Sequence, residues 1–158
     1  MRIAVATAQG LATGLDLPLR GVGTLEALGR GIGEAAPERA RLAVLDGFRG
    51  EVFAALYSNR DEVLWEAQVY RPEALVERIA QLGAVPSVAG LGAVRFRHEL
   101  ERGGVHVPED ADPVNRVAAR QICAIAAAAA EAAPVAPIYL RPPDAERWRE
   151  RDSFPRAK

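Results

Sequence analysis

Lysine, cysteine and histidine are scarce in this chain of 158 residues, and their scarcity excludes several kinds of chemistry. Lys158 is the only lysine, so the sequence lacks both the lysine that a P-loop places over phosphates and the buried amine of a Schiff-base enzyme. Cys123 is the only cysteine, and together with His98 and His106 it provides too few nitrogen and sulfur ligands for a structural zinc site. No internal disulfide is possible, and a reducing cytoplasm is the expected location.

A surplus of charge and a long apolar run are also missing. Lysine and arginine total 20 against 21 aspartate and glutamate, a formal net charge of -1, so no broad cationic field is present to hold a nucleic-acid backbone. Any contact with nucleic acid is therefore expected to be local or shared with a partner. The alanine run at 126–130 is too short to cross a membrane, and the first residues lack the pattern of an export signal.

What the chain does contain is a regular alternation of helix and strand patterns. Helices are expected over 2–13, from a cap at Thr24, and over 72–82, 93–102 and 112–133, the last beginning at Asp112 and Pro113. Strands are expected over 17–22, 41–46, 51–58, 62–70 and 87–89, with a short extended piece at 105–107. The glycine- and proline-containing stretch 29–37 predicts a linker.

Three antiparallel strands followed by helix, strand, helix, strand, helix form the order of an α/β ribonuclease H-like domain, the unit that is duplicated in actin, sugar kinases and Hsp70. The helix, strand and helix before it resemble the end of a first such unit. We therefore expect residues 1–33 to be the remnant of a truncated first unit, 34–138 to form a complete second unit, and 139–158 to be a charged tail.

Few residues are candidates for a reactive site. A two-metal nuclease needs converging carboxylates, for which Asp46 and Glu77 are available, but the strand at 87–89 supplies none, so Asp46 is expected to form a turn instead. Gly90 and Gly92, between a strand and a helix, are weak candidates for contact with a nucleotide, and a tight strand-to-helix turn is the alternative.

The remaining reactive side chains suggest ordinary structural roles. His98 and His106 have no recognisable nucleophile to serve and are expected at or near the surface, and Cys123 is expected to be a small buried apolar residue. In the tail, six basic and four acidic residues surround Trp148, which suggests a solvated segment or one that docks on a partner or RNA. No catalytic residue, metal ligand or cofactor is expected.

Four segments carry a more specific pattern: 2–12 (RIAVATAQGLA), 17–28 (LPLRGVGTLEAL), 46–57 (DGFRGEVFAALY) and 137–146 (PIYLRPPDAE). Together they resemble the bacterial TsaB family, also called YeaZ, which takes part in making threonylcarbamoyladenosine in tRNA. The chain departs from the family at Gly47 and Phe48, where Ala and Arg are usual, and at Leu91, where Asp or Asn is frequent. The family's opening strands, first helix and glycine-rich loop have no counterpart before Arg2, which leaves a misplaced start and a true shortening both open.

The resemblance implies a non-catalytic scaffold or dimerisation subunit that supports a TsaD-like transferase, with a TsaE-like ATPase joining them and tRNA contacted only indirectly. It also implies that the helix 2–13 belongs to the surface that pairs subunits, with Ile3, Ala6, Gly10 and Thr13 on the partner-binding face. The small and apolar side chains of this helix predict a homodimer or aggregate when TsaD is absent, the alternative being that they pack on the strand 17–22 of the same chain. The alternatives are a small-molecule phosphotransferase of the actin-like group, supported only by Gly90 and Gly92, and an inactive truncated fragment. No membrane partner is expected.

Overall fold

A computed structural model describes residues 2–129 and 135–141 of the chain. The helices are α1 (Arg2–Gly14), α2 (Thr24–Ala35), α3 (Pro72–Ala80), α4 (Leu91–Arg95), α5 (Arg97–Arg102) and α6 (Ala119–Ala128), with one 3-10 turn at Pro113–Asn115. The strands are β1 (Arg41–Asp46), β2 (Val52–Tyr57), β3 (Val63–Tyr70) and β4 (Ser87–Ala89). In the part of the chain so described, no helix has the length and apolar content needed to cross a membrane.

The four strands form one sheet in the order β3-β2-β1-β4. β1 and β2 pair antiparallel, as do β2 and β3, whereas β4 lies parallel to β1. Ala43 of β1 therefore lies between Ala55 of β2 and Ala89 of β4. The three-stranded meander and the short strand at 87–89 that the sequence predicts are confirmed.

Both faces of the sheet are buried at β1 and β2, as the alternation along β2 predicts, whereas β3 is exposed or half-buried. Ala54 and Leu56 point to one face, where they pack with Leu75 of α3 and Leu100 of α5. Ala55 and Tyr57 point to the other face, which α2 covers, as do the remaining members of that cluster: Leu25, Leu28, Ile32, Ala43 and Ala89. Burying a leucine side chain completely contributes about 1.5–3 kcal/mol, so these two layers hold the fold together.

The stretch 29–37 is not the predicted linker, because α2 continues through its glycines to Ala35. Those glycines let the helix lie close to the sheet: a Cβ at Gly29 would lie 2.6 Å from Cδ2 of Tyr57, and one at Gly33 would collide with the guanidinium of Arg41. Glycine usually weakens a helix, but here its lack of a side chain is what permits the packing. The helix starts one residue earlier than expected, since Gly23 and not Thr24 is the N-cap, and the N–H of Gly23 donates a hydrogen bond to Oε2 of Glu26 at 3.4 Å.

Two further predictions about secondary structure are wrong. The segment 17–22 is mostly exposed and pairs with no strand among the residues described, so it is not the predicted strand. The predicted helix 93–102 begins earlier, at Leu91, and breaks at Phe96, whose φ of -109° and ψ of 33° are not helical. The extended piece at 105–107 buries Val105 and Val107 without joining the sheet.

The long helix expected over 112–133 is also wrong, although its start signal works. The Asp112 side chain accepts a hydrogen bond from the backbone N–H of Val114 at 2.9 Å, as an N-cap should, but only a 3-10 turn follows. Asn115 is buried and hydrogen-bonded to the core, and Arg116 is extended, so the chain turns before α6 begins at Ala119. The last part of the expected helix, residues 130–133, lies outside the described residues.

Candidate functional site

The side chains expected to bind a partner lie on an exposed face of α1. Ile3 is 84% exposed, and Ala6, Gly10 and Thr13 are exposed as well. A Cβ added at Gly10 would meet no atom within 4 Å, so another helix has room to approach closely. No residue of α1 is buried, and an exposed helix of this composition is a candidate interaction surface. That a partner binds there stays a prediction.

Gly90 and Gly92 form the tight turn that joins β4 to α4. Gly90 has a φ of 123°, which favours glycine, and a Cβ there would lie 2.7 Å from Cδ2 of Leu28. A Cβ at Gly92 would lie 2.6 Å from the carbonyl oxygen of Leu45 on β1. Both glycines therefore allow the turn to pack against the backbone of the neighbouring strand.

The amide of Gly90 is already engaged inside the protein. Its N–H donates a hydrogen bond to Oδ1 of Asn115 at 3.0 Å, and Nδ2 of the same asparagine donates to the carbonyl of Glu109 at 2.7 Å. Asn115 is 1% exposed, so this amide ties the loop before α6 to the strand-to-helix turn. Sequence reasoning missed Asn115, whose only signal was a polar residue next to a helix start. Nucleotide contact at Gly90 and Gly92 stays a prediction.

Asp46 forms a turn, as the sequence predicts. Its Oδ1 accepts a hydrogen bond from the backbone N–H of Phe48 at 2.9 Å, and its Oδ2 pairs with Arg95 at 2.6 Å. Glu77, the second acid considered for a nuclease, is exposed on α3. Within the described ranges no three or more histidine, cysteine, aspartate or glutamate side chains are grouped so as to hold a metal ion.

The turn that Asp46 begins has an unusual backbone. Phe48 and Arg49 have φ values of 59° and 55°, so two adjacent residues with side chains occupy the left-handed region, and Gly50 follows at 78°. Each such residue costs on the order of 1 kcal/mol unless its surroundings hold it in place. The Phe48 side chain is 68% exposed. The strained turn therefore displays an aromatic ring to solvent at a position where the sequence departs from the TsaB pattern.

The remaining reactive side chains lie at the surface. His98 and His106 are exposed, as expected, and in the described part of the chain neither makes a hydrogen bond with a hydroxyl or a thiol. Cys123 is also exposed, so the prediction that it is buried is wrong. The reason is that α6 buries only Gln121, whose amide donates to Glu34 of α2 at 2.9 Å, and turns its other residues outward. Trp148 and the arginines near it lie outside the described residues.

Among the described residues, two side chains have a pKa raised above the ordinary value, so both keep their proton more firmly than usual. Burial, together with the smaller effect of the negative charges of Glu26 and Glu66, raises the pKa of Tyr57 to about 12. The hydrogen bond with Asp110 raises the pKa of Arg97, which also donates to the carbonyl of Val107 at 2.6 Å. Neither group exchanges a proton near neutral pH, so both act in packing and in positioning a loop.

Known proteins are similar to parts of this chain in sequence or in fold. No protein-family model matches the sequence. The tRNA threonylcarbamoyladenosine biosynthesis protein TsaB of Escherichia coli K12 is 34% identical over 96 residues, which cover 58% of this chain and 42% of that protein. The chain thus spans less than half the length of this curated relative.

Two solved structures from Pseudomonas aeruginosa share the fold. One is an uncharacterized protein with similarity to peptidase YeaZ; its TM-score is 0.65 at 21% identity, over 89% of this chain and 67% of that one. The other is YeaZ, with a TM-score of 0.58 at 22% identity, over 80% of this chain and 58% of that one. The chain is accordingly a mixed α/β protein that shares its fold with these YeaZ-type structures and whose sequence is similar to E. coli TsaB over 96 residues.

Proposed function

We propose that this chain is a non-catalytic subunit of the machinery that makes threonylcarbamoyladenosine in tRNA. The observation that carries the proposal is the exposed face of α1 in a chain 34% identical, over 96 residues, to the E. coli protein named for that pathway. In this role the chain works in the cytoplasm, and α1 docks on a TsaD-like transferase that a TsaE-like ATPase joins.

The chemistry of α1 suits close helix packing. Ala6 and Gly10 leave little bulk between the helix backbone and a partner, while Ile3, which is 84% exposed, supplies apolar area that association would bury. The same face allows two copies to pair when no transferase is present. Because the faces of a symmetric dimer and of a mixed complex would overlap, the two assemblies are expected to compete.

A non-catalytic role is supported by the contacts that Gly90, Gly92 and Asp46 make inside the protein. The Gly90 amide donates to Asn115, and Gly92 lies against β1, so the turn that resembles a nucleotide loop is occupied by packing contacts. Asp46 shapes its own turn and pairs with Arg95. No observation favours the phosphotransferase alternative over the subunit.

We further propose that residues 34–138 form a ribonuclease H-like unit and that residues 1–33 correspond to part of a preceding one. The strand order β3-β2-β1-β4, with β4 parallel to β1, supports this arrangement, since it matches the first four strands of such a unit.

The docking proposal is tested by measuring complex formation with purified TsaD-like and TsaE-like proteins by sedimentation velocity. Gly10→Trp places a large ring on the proposed face, at a position where an added Cβ meets no atom within 4 Å, and Ala4→Trp, also exposed on α1 but outside that face, is the matched control. We expect Gly10→Trp to weaken binding about tenfold or more, a loss of about 1.4 kcal/mol, and the control to bind like the wild type.

Two results would contradict the proposal. One is a wild-type chain that forms no complex, or a Gly10→Trp variant that binds like the control. The other concerns catalysis: the chain alone, given tRNA and threonylcarbamoyl-adenylate, should yield no modified tRNA. Product formed without any other subunit would make it the transferase itself.

A further inference from the structure

Side chains of helix α1 contact a short segment near the other end of the described chain. We call residues 135–141 the strap. The Nε2 of Gln9 donates a hydrogen bond to the carbonyl of Val135 at 2.7 Å. Arg2 lies 5.1 Å from the ring centre of Tyr139 and donates to its hydroxyl. Among the described residues these are the polar contacts that α1 side chains make outside the helix, and they hold α1 against the strap.

The strap is fixed to the sheet by one arginine. Arg141 pairs with Glu51 at 2.7 Å, donates to the carbonyl of Gly47 at 2.7 Å, and lies 5.7 Å from the ring centre of Phe53. The Arg141 and Glu51 side chains are 18% and 24% exposed, so the pair is partly shielded from water. Leu140 beside it packs on the α2 side of the sheet. A guanidinium that binds both a carboxylate and a carbonyl fixes direction as well as distance.

The partners of Arg141 belong to the strained turn between β1 and β2. Gly47 and Glu51 bracket Phe48 and Arg49, the two residues in the left-handed region, and are joined by a hydrogen bond from the Gly47 N–H to the Glu51 carbonyl at 2.9 Å. Any rearrangement of this turn therefore moves both acceptors of Arg141 at once. The buried Nε of Arg141 has no acceptor in the part of the chain that is described, which makes the closed arrangement easier to open than a fully satisfied one.

We propose that Arg141 couples the β1–β2 turn to helix α1 through the strap, and we call its contacts with Glu51 and Gly47 the latch, closed when they are made and open when they are broken. With the latch closed, the turn, the strap and α1 keep one arrangement. With it open, the strap leaves the sheet and α1 loses its fixed position. Arg141 is thus a positioning residue for the α1 surface, and its significance for docking rests on the proposed function. Because coupling is reciprocal, a partner that holds α1 also stabilises the turn that displays Phe48.

The latch is tested in the isolated chain by measuring the distance between two spin labels, one on the native Cys123 of α6 and one on Ala4→Cys of α1. Both positions are exposed. A single narrow distance distribution is expected in the otherwise unchanged chain, and Arg141→Gln should broaden it at least twofold. The control is Arg95→Gln, which removes the 2.6 Å ion pair with Asp46 on the same turn but does not touch the strap, and it should leave the distribution narrow.

A second variant keeps the test decisive if Arg141→Gln fails to fold. Tyr139→Ala removes the contact of the strap with Arg2 of α1 at a side chain that is 58% exposed, and it should broaden the distribution while leaving the sheet intact. Unchanged distributions in both variants, or equal broadening in Arg95→Gln, would overturn the proposal. Since no partner protein is present, a failed latch leaves the docking proposal standing, and a failed docking experiment leaves the latch standing.

Discussion

Helices α1 and α2 have nearly the same length, 13 and 12 residues, and both are rich in glycine and apolar side chains, yet α1 buries no residue and α2 buries six. The difference lies in what each helix meets. One side of α2 lies on a sheet face formed by Ala43, Ala55 and Tyr57, whereas the polar contacts of α1 go to the strap. Similar composition therefore gives a core helix in one place and a surface helix in the other, because burial depends on a complementary face nearby.

The most direct test of this difference in burial between α1 and α2 is to truncate one leucine in each helix. Leu28 of α2 is 1% exposed, and Leu28→Ala should lower the free energy of unfolding by about 2–5 kcal/mol, since it removes a buried side chain and leaves a cavity. Leu11 of α1 is 61% exposed, and Leu11→Ala should change it by about 0.5 kcal/mol or less. Urea unfolding of both variants checks the pair. Equal losses would mean that α1 packs as firmly as α2.

The two helices also show how far the sequence predicts the structure. Periodicity and capping patterns predict the extents of α1 and of the four strands closely, because those signals are local. They fail at Gly29 and Gly33, since glycine in a helix normally suggests a break, and only the ring of Tyr57 and the guanidinium of Arg41 explain its presence there. Contacts between distant parts of the chain leave no such local signal.

In the candidate site, too, local features were predictable from the sequence and contacts between distant residues were not. The turn at Asp46 was predictable because an aspartate before a glycine is a frequent turn former, and the exposure of Ile3 and Gly10 agrees with the face expected to bind a partner. Other contacts were not predictable in this way. Asn115 binds Gly90, 25 residues away, and Arg141 pairs with Glu51, 90 residues away. These contacts join segments that lie close together only in the folded chain.

The burial of Tyr57 under α2 predicts that the protein loses stability at alkaline pH. Tyr57, under α2, has its pKa raised to about 12 by burial, whereas tyrosine in an unfolded chain loses its proton near pH 10. Between these two values the unfolded chain releases a proton that the folded chain keeps, so stability is full below pH 10 and falls as pH rises toward 12. The expected loss is up to about 2–3 kcal/mol.

Urea unfolding at a series of pH values checks this prediction, with Tyr57→Phe as the control. The difference in the free energy of unfolding between the two proteins isolates the titration of Tyr57 from that of all other groups. The wild type should lose stability relative to Tyr57→Phe as pH increases from 10 to 12, until the variant becomes the more stable of the two. A difference that stays constant over this range would show that Tyr57 ionises at its ordinary pKa and is not closed off by α2.

The smallest expected effect compares two glycines within α2. In Gly29→Ala the new Cβ lies 2.6 Å from the Tyr57 ring, which is held by the sheet, so the gain in helix propensity is outweighed and stability should fall by about 1–2 kcal/mol. In Gly31→Ala the nearest atom is Nε2 of Gln121 at 3.7 Å, an ordinary contact, and stability should rise by up to about 1 kcal/mol. Thermal unfolding of the two variants measures both signs in one experiment. If Gly29→Ala were as stable as Gly31→Ala, the ring of Tyr57 would have to move aside freely, and the close approach of α2 to the sheet would not be what separates it from α1.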